Sequence, residues 1–193
     1  GADKIMRDPS MVQGPDGTFH LVWTLAWKGN HGFGYASSRD LIHWSSEKVI
    51  PIMDSLKSTV NVWAPELFYR KDHKDFLVIW ASTIPYKFPK GIEDEDNNHR
   101  LYYSVTPDFK HFSEPGLYYD PGFSSIDATL VQRGREDFVL VFKDNTRHER
   151  DIKVAFGKMA LGPFGPASKA FTPTYSEGPS VLKEKGRYLI YYD

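Results

Sequence analysis

Three acidic side chains stand at the heads of similar sequence segments: Asp8 in Asp8-Pro9-Ser10-Met11-Val12, Asp127 in Asp127-Ala128-Thr129-Leu130-Val131, and Glu177 in Glu177-Gly178-Pro179-Ser180-Val181. A fourth copy, Ala64-Pro65-Glu66-Leu67-Phe68, carries alanine in that place. Acids gathered around one point repel one another and raise one another's pKa, a cost that suggests use. The chemistry that suits them is hydrolysis of a glycosidic bond with inversion. One carboxylate takes a proton from water on one face of the sugar, and a protonated carboxyl donates to the leaving oxygen on the other. The two groups then stand roughly 6.5–9.5 Å apart to admit the water. Taken singly, each acid also reads as turn punctuation beside proline or glycine. It is their common register that favours a site.

The elements that must position these acids are hairpins. Each head segment is followed by a polar turn: Gly14-Pro15-Asp16-Gly17, Lys71-Asp72-His73-Lys74, Arg133-Gly134-Arg135-Glu136 and Lys185-Gly186. An aromatic-rich return strand comes next, over Phe19 to Trp23, Phe76 to Trp80, Phe138 to Phe142 and Tyr188 to Tyr192. The aromatics Phe19, Phe76, Phe138 and Tyr188 lie at nearly constant separation from Asp8, Ala64, Asp127 and Glu177, which predicts that these four head residues occupy equivalent places. A second pattern, Tyr35-Ala36-Ser37-Ser38-Arg39-Asp40-Leu41-Ile42-His43-Trp44-Ser45, recurs as Tyr103-Ser104-Val105-Thr106-Pro107-Asp108-Phe109-Lys110-His111-Phe112-Ser113, with a looser copy from Val154 to Phe164.

Units of about four short strands, with little helical periodicity, predict an all-β propeller of four-stranded antiparallel blades around a channel. Residues 1–193 read as one domain holding about three and a half blades, the last stopping after its second strand, which leaves the ring incomplete and an edge open. The innermost strand of each blade lines the channel, so equivalent heads converge at one mouth. Ile84 to His99 is an insertion, and its Glu93-Asp94-Glu95-Asp96 run reads as a solvated loop.

Composition narrows the partners. Of 193 residues, 24 are Lys or Arg and 25 Asp or Glu, a net charge of -1 that gives no attraction to nucleic acid or an anionic membrane. No apolar run reaches the roughly 20 residues a bilayer needs. Cysteine is absent, which excludes disulfides and thiolate metal sites. Neither a phosphate-binding glycine loop nor a histidine zinc motif is found.

Arg7-Asp8-Pro9-Ser10, Trp63-Ala64-Pro65-Glu66, Ser125-Ile126-Asp127-Ala128 and Ser176-Glu177-Gly178-Pro179 resemble the recurrent motifs of family 43 glycoside hydrolases, in that family's order and over essentially the whole chain. The resemblance implies a five-bladed β-propeller and an inverting glycosidase that cleaves α-L-arabinofuranosyl or β-D-xylosyl linkages of plant polysaccharides or oligosaccharides. Asp8 would be the general base, Glu177 the general acid, and Asp127 the residue that tunes and orients the acid. Ala128 stands where the family often has proline. It implies a carbohydrate partner and a secreted or periplasmic bacterial protein. No metal ligand is assigned, although a structural calcium at the axis fits the family. The rival reading is a non-catalytic carbohydrate-binding propeller.

Around the acids, Trp63 is placed to stack on a sugar ring or to pack. Arg7 adjoins Asp8. His31, in Lys28-Gly29-Asn30-His31-Gly32, either rims the substrate pocket or is solvated. Lys143-Asp144-Asn145-Thr146-Arg147 follows a return strand toward the rim, and the role of Glu66 stays open. His43 and His111 recur in an Asp-x-x-His-aromatic turn and read as structural. Trp23, Trp80, Phe142 and Tyr192 repeat as inter-blade core. Burial and the charge of Asp127 are expected to raise the pKa of Glu177.

Overall fold

A computed structural model describes residues 5–193. Thirteen strands fall into four consecutive antiparallel sheets. The first blade is β1 (Arg7–Gln13), β2 (Phe19–Thr24), β3 (Phe33–Ser38) and β4 (Lys48–Ile50). The second is β5 (Trp63–Arg70), β6 (Asp75–Ser82), β7 (Arg100–Thr106) and β8 (Gly116–Tyr119). The third holds β9 (Ser125–Gly134), β10 (Asp137–Asp144) and β11 (Asp151–Gly157). Its outer edge is an irregular segment joined by a Gly157–Phe164 bridge and by bonds from Gly165 N to Phe156 O and Ser168 N to Val154 O. Two strands, β12 (Ser180–Glu184) and β13 (Arg187–Tyr191), begin the fourth.

Period-two patterning explains how the blades stack. On β6, Phe76, Val78 and Trp80 face the first blade, where they pack with Val22, Phe33 and Tyr35, and with Phe109 from the turn after β7. The alternate residues Leu77, Ile79 and Ala81 face the third blade and pack with Leu130, Leu140 and Phe142. A sheet covered on both faces reads as a continuous apolar run, as β6 does. Trp23, Trp80 and Phe142 are buried as expected, whereas Tyr192 is 48% exposed. Val181 and Ile190 of the fourth sheet pack against β10 and β11. Gly34 lets Trp23 lie flat on β3, because a Cβ there would come within 2.1 Å of the indole.

The heads of the inner strands share an unusual backbone. Asp8, Ala64, Asp127 and Gly178 have φ of 48°, 45°, 52° and 60°, all left-handed. In the first three blades the ladder slips across this residue: Arg7 pairs with Thr24 but Ser10 with Val22, Trp63 with Ala81 but Glu66 with Ile79, Ile126 with Lys143 but Thr129 with Val141. The fourth follows suit, since Glu177 exchanges backbone bonds with Asp193 while Ser180 pairs with Tyr191.

This register corrects the expected alignment. Gly178, not Glu177, is the equivalent of Asp8, Ala64 and Asp127, and Glu177 matches Arg7, Trp63 and Ile126. The constant spacing to the aromatics misled because the turns differ in length: β1 closes from Gln13 to Phe19, β12 from Glu184 to Arg187.

The acidic insertion is likewise more ordered than a solvated loop. Glu93 is buried, accepting from Asn97 Nδ2 at 2.6 Å and from the Arg147 backbone N–H. Asp96 pairs with Lys28, and Glu95 accepts the Tyr86 N–H at 3.0 Å. His43 and His111 are structural as read: Asp40 and Asp108 each accept two backbone N–H groups and the histidine Nδ1 at 2.7 Å.

Alanine in the left-handed region carries about 1–2 kcal/mol of strain that glycine lacks. Ala64→Gly is expected to stabilise the protein by about 1 kcal/mol, less any loss through a looser unfolded chain. Ala64→Val, β-branched at the same φ, is expected to destabilise it. Urea midpoints of the two variants check this, and a destabilised glycine variant would show that the slip is not strained.

Candidate active site

The left-handed head breaks the alternation of a strand, so residues on both sides of the slip reach one cavity. A funnel of about 260 Å³ is lined by Arg7 and Asp8 from β1, Trp63 from β5, Ile126 and Asp127 from β9, and Glu177 and Gly178 ahead of β12. Thr24 and Lys143, on return strands, and Asp193, just past β13, also line it. All three expected acids therefore meet, and so do Arg7 and Trp63. His31 does not line this funnel: its Nδ1 lies 3.7 Å from Asp54, and its carbonyl accepts the Met53 N–H. The expected pocket role of His31 is not supported, because bonding to the Pro51–Asp54 turn carries it away from the acids.

Each acid is held differently. Asp8 Oδ2 accepts the Thr24 hydroxyl at 2.9 Å, and Thr24 Oγ1 in turn accepts the Ala64 N–H of the next blade at 2.8 Å. Asp127 is half-buried, with the Gly178 N–H 3.3 Å from Oδ2. Burial pushes its pKa up to about 6, against the pull of Lys143 and that bond, and the charges of Asp8 and Glu177 add to the rise. Glu177 is half-exposed and accepts from Lys143 Nζ at 2.5 Å.

Its pKa is lowered, first by the Lys143 bond, with Arg7 and Arg150 contributing. The expected rise at Glu177 is thus reversed. Desolvation prevails at Asp127, whereas at Glu177 the bond to the buried Lys143 cation outweighs it.

Trp63 packs, and it also keeps a place in the funnel wall. One face stacks on His99 at 4.6 Å between centroids, its Nε1 donates to Trp27 O at 2.8 Å, and it still lines the funnel. His99 is fully buried, and its pKa falls to about 3 through desolvation. Asn61 accepts the Thr83 N–H through Oδ1, so its Nδ2 donates to His99 Nε2 at 2.9 Å, which leaves the imidazole proton on Nδ1.

Asn145, within the stretch read as heading toward the rim, lines the funnel, and so do Trp27, Asn97 and Arg150, which sequence reading did not single out. Trp27 is half exposed at the rim with the Arg7 guanidinium 4.0 Å above its ring. A signal for Lys143 did exist. It follows the buried return-strand aromatic Phe142 as Thr24 follows Trp23 and Asp193 follows Tyr192.

Beneath the funnel, the Ser10, Glu66, Thr129 and Ser180 positions line the axial channel. Thr129 donates to Glu66 at 2.7 Å and Ser10 accepts the Leu67 N–H at 3.1 Å, so the role left open for Glu66 is to tie blades together. Burial raises its pKa. Among the described residues no three His, Asp or Glu side chains are grouped as ligands for a cation. Nor, among those residues, is any helix long and apolar enough to cross a membrane.

Comparison with known proteins places this geometry. The profile of the glycosyl hydrolase 43-related family, described as "Probable glycosyl hydrolase domain", matches residues 2–193. An α-L-arabinofuranosidase of Bifidobacterium longum is 31% identical over 152 residues, which are 67% of this chain and 14% of that protein. Among solved structures, a thermostable family-43 glycoside hydrolase superposes with a TM-score of 0.71 at 18% identity, over 100% of this chain and 64% of the other. An α-L-arabinofuranosidase from Lactobacillus brevis gives 0.67 at 20% identity, over 97% and 62%. The chain thus spans less than two thirds of these relatives' own length. With a profile that runs almost from end to end and a fold shared with family-43 enzymes, the chain belongs to the glycosyl hydrolase 43-related family.

Proposed function

We propose that this chain carries the acid-lined face of an inverting glycosidase, with Asp8 as general base, Glu177 as general acid and Asp127 as the group that tunes and orients the acid. The observation that carries the reading is the meeting of Asp8, Asp127 and Glu177 in one funnel, from three different blades. Inversion needs two carboxyls on opposite sides of a sugar with a water between, and blades facing each other across an axis supply that. A binding module has no use for three acids at one mouth, which speaks against the non-catalytic alternative.

The substrate class rests on the relatives' names. α-L-Arabinofuranosidases appear among both sequence and structural matches, and a xylan β-1,4-xylosidase from Bacillus halodurans among the latter. We therefore assign α-L-arabinofuranosyl or β-D-xylosyl units of plant polysaccharides or their oligosaccharides. Polymers of this kind are met outside the cytoplasm, so the working compartment is the periplasm or the medium. Trp27 and Trp63 offer aromatic surface for the apolar face of a pentose, and Arg7, Asn97 and Asn145 offer donors for its hydroxyls.

The roles separate by leaving group. Glu177→Gln in the complete protein is expected to lower kcat on natural oligosaccharides by about 10²–10⁴-fold, the usual worth of a general acid, and to spare most of the rate on activated aryl glycosides. Asp8→Asn is expected to remove both activities, since neither leaving group helps an unactivated water. Wild-type rates of Glu177→Gln on natural substrate would place the acid elsewhere.

Asp127 carries a second expectation. Its folded pKa of about 6 lies above the carboxyl's ordinary value near 4, so its contribution is favourable below that value and is lost as pH rises through 6. Asp127→Asn is therefore expected to be more stable than wild type at pH 7, by about 1–3 kcal/mol. At pH 4 the gain should vanish. Unfolding midpoints at the two pH values check the sign.

A further inference from the structure

Lys143 is the best-buried charge in the funnel, with its side chain only 6% exposed, yet its partner Glu177 is 51% exposed. An ion pair kept for stability alone is a poor use of a buried lysine, because its desolvation is seldom recovered and an apolar side chain would serve as well. The position supports another reading. Lys143, the last residue but one of β10, pairs with Ile126, where the other blades have Thr24, Ala81 and Asp193. Thr24 holds the acid of its own blade, Asp8. Lys143 instead reaches across the blade boundary to Glu177, while the Gly178 N–H reaches back to Asp127. Two bonds in opposite directions thus tie the segment that bears the acid to the blade that bears its neighbour.

Resting on the glycosidase reading above, we propose that Lys143 is a positioning residue shared by Asp127 and Glu177, which holds the Glu177 carboxyl against the third blade and sets the pH range over which that carboxyl carries a proton. The charges that bear on Glu177 are known from every side. Lys143 of β10 is the nearest, Arg7 of β1 and Arg150 after β10 are the further cations, and Asp127 of β9, Asp8 of β1 and Asp193 are the acids that share the funnel. Lys143 also acts on Asp127, where its pull opposes the effect of burial. One ammonium group therefore biases both carboxyls toward the ionised form and lowers the pH up to which Glu177 can donate.

The test is the pH dependence of kcat/KM for a natural arabinosyl or xylosyl oligosaccharide, whose basic limb reports the acid in the free enzyme. Lys143→Met removes the charge, and the basic limb is expected to move to higher pH by about one unit, the lower end of what a neighbouring opposite charge does to a carboxyl. Lys143→Arg should leave the limb where it is. In a Glu177→Gln background, Lys143→Met should shift nothing. Thermal midpoints establish that each variant is folded, and Lys143→Gln, which drops the charge but keeps a donor, replaces the methionine variant if that one does not fold. A limb that stays in place in an active, folded Lys143→Met or Lys143→Gln enzyme overturns the proposal. Wild-type protein without activity on arabinosides or xylosides would instead overturn the function on which it rests.

Discussion

Each inner strand enters the channel through one residue in the left-handed region, at Asp8, Ala64, Asp127 and Gly178. In a regular strand, neighbours point to opposite faces and only every second residue could line the funnel. The slip at the head removes that restriction. Arg7 and Asp8 both line the cavity, as do Ile126 with Asp127 and Glu177 with Gly178. The mouth thereby holds more functional side chains than four strands would otherwise deliver. Strain of this kind persists where the surroundings over-determine it. Here side-chain bonds between blades do so, from Ala64 N to Thr24, Leu67 N to Ser10, Thr129 to Glu66 and Gly178 N to Asp127.

The same heads separate the acids electrically. Asp127, at a slip, is desolvated by burial, and its pKa is pushed up to about 6. Glu177, one residue before a slip, stays half in solvent and meets Lys143, so its proton is released more readily. Two carboxyls in one funnel thus acquire opposite shifts from burial on one side and an ion pair on the other, the arrangement by which environment assigns different tasks to identical groups. Stability is lost in the bargain, since a carboxylate and a lysine are both partly desolvated beside one another's competitors.

How much of this could be read beforehand differs by level. The blades were legible because their signal is repetitive: Phe76 to Trp80 and Phe138 to Phe142 are apolar on both faces, and the Asp-x-x-His turns around His43 and His111 return unchanged. The acids were legible because proline or serine follows closely on most of the heads. The alignment of Glu177 was not, since residue counting cannot tell a short turn at Lys185-Gly186 from a missing residue at the strand head. His31 and Lys143 illustrate the harder limit. Both lie near a blade end in polar sequence, and only backbone bonds, Met53 N to His31 O in one case and the β9–β10 pairing in the other, decide which one enters the funnel.

Loops at the rim are often thought of as independent decorations, but here one insertion braces two others. Asp96 engages Lys28 beside Trp27 in the first blade's loop, and Glu93 accepts the Arg147 N–H in the loop that follows β10. Between them Asn97 reaches the funnel wall and lies 3.4 Å from Asn145. A buried carboxylate such as Glu93 is tolerated only when its oxygens are satisfied, and both are, by Asn97 and Arg147. Trp27, Asn97 and Asn145 are therefore positioned as one rim rather than three separate contacts. A change in the insertion alters the aromatic wall and the amide wall together, whereas the acids below, fixed by strand heads and inter-blade bonds, stay where they are. The composition of the rim can then vary while the placement of the acids is kept.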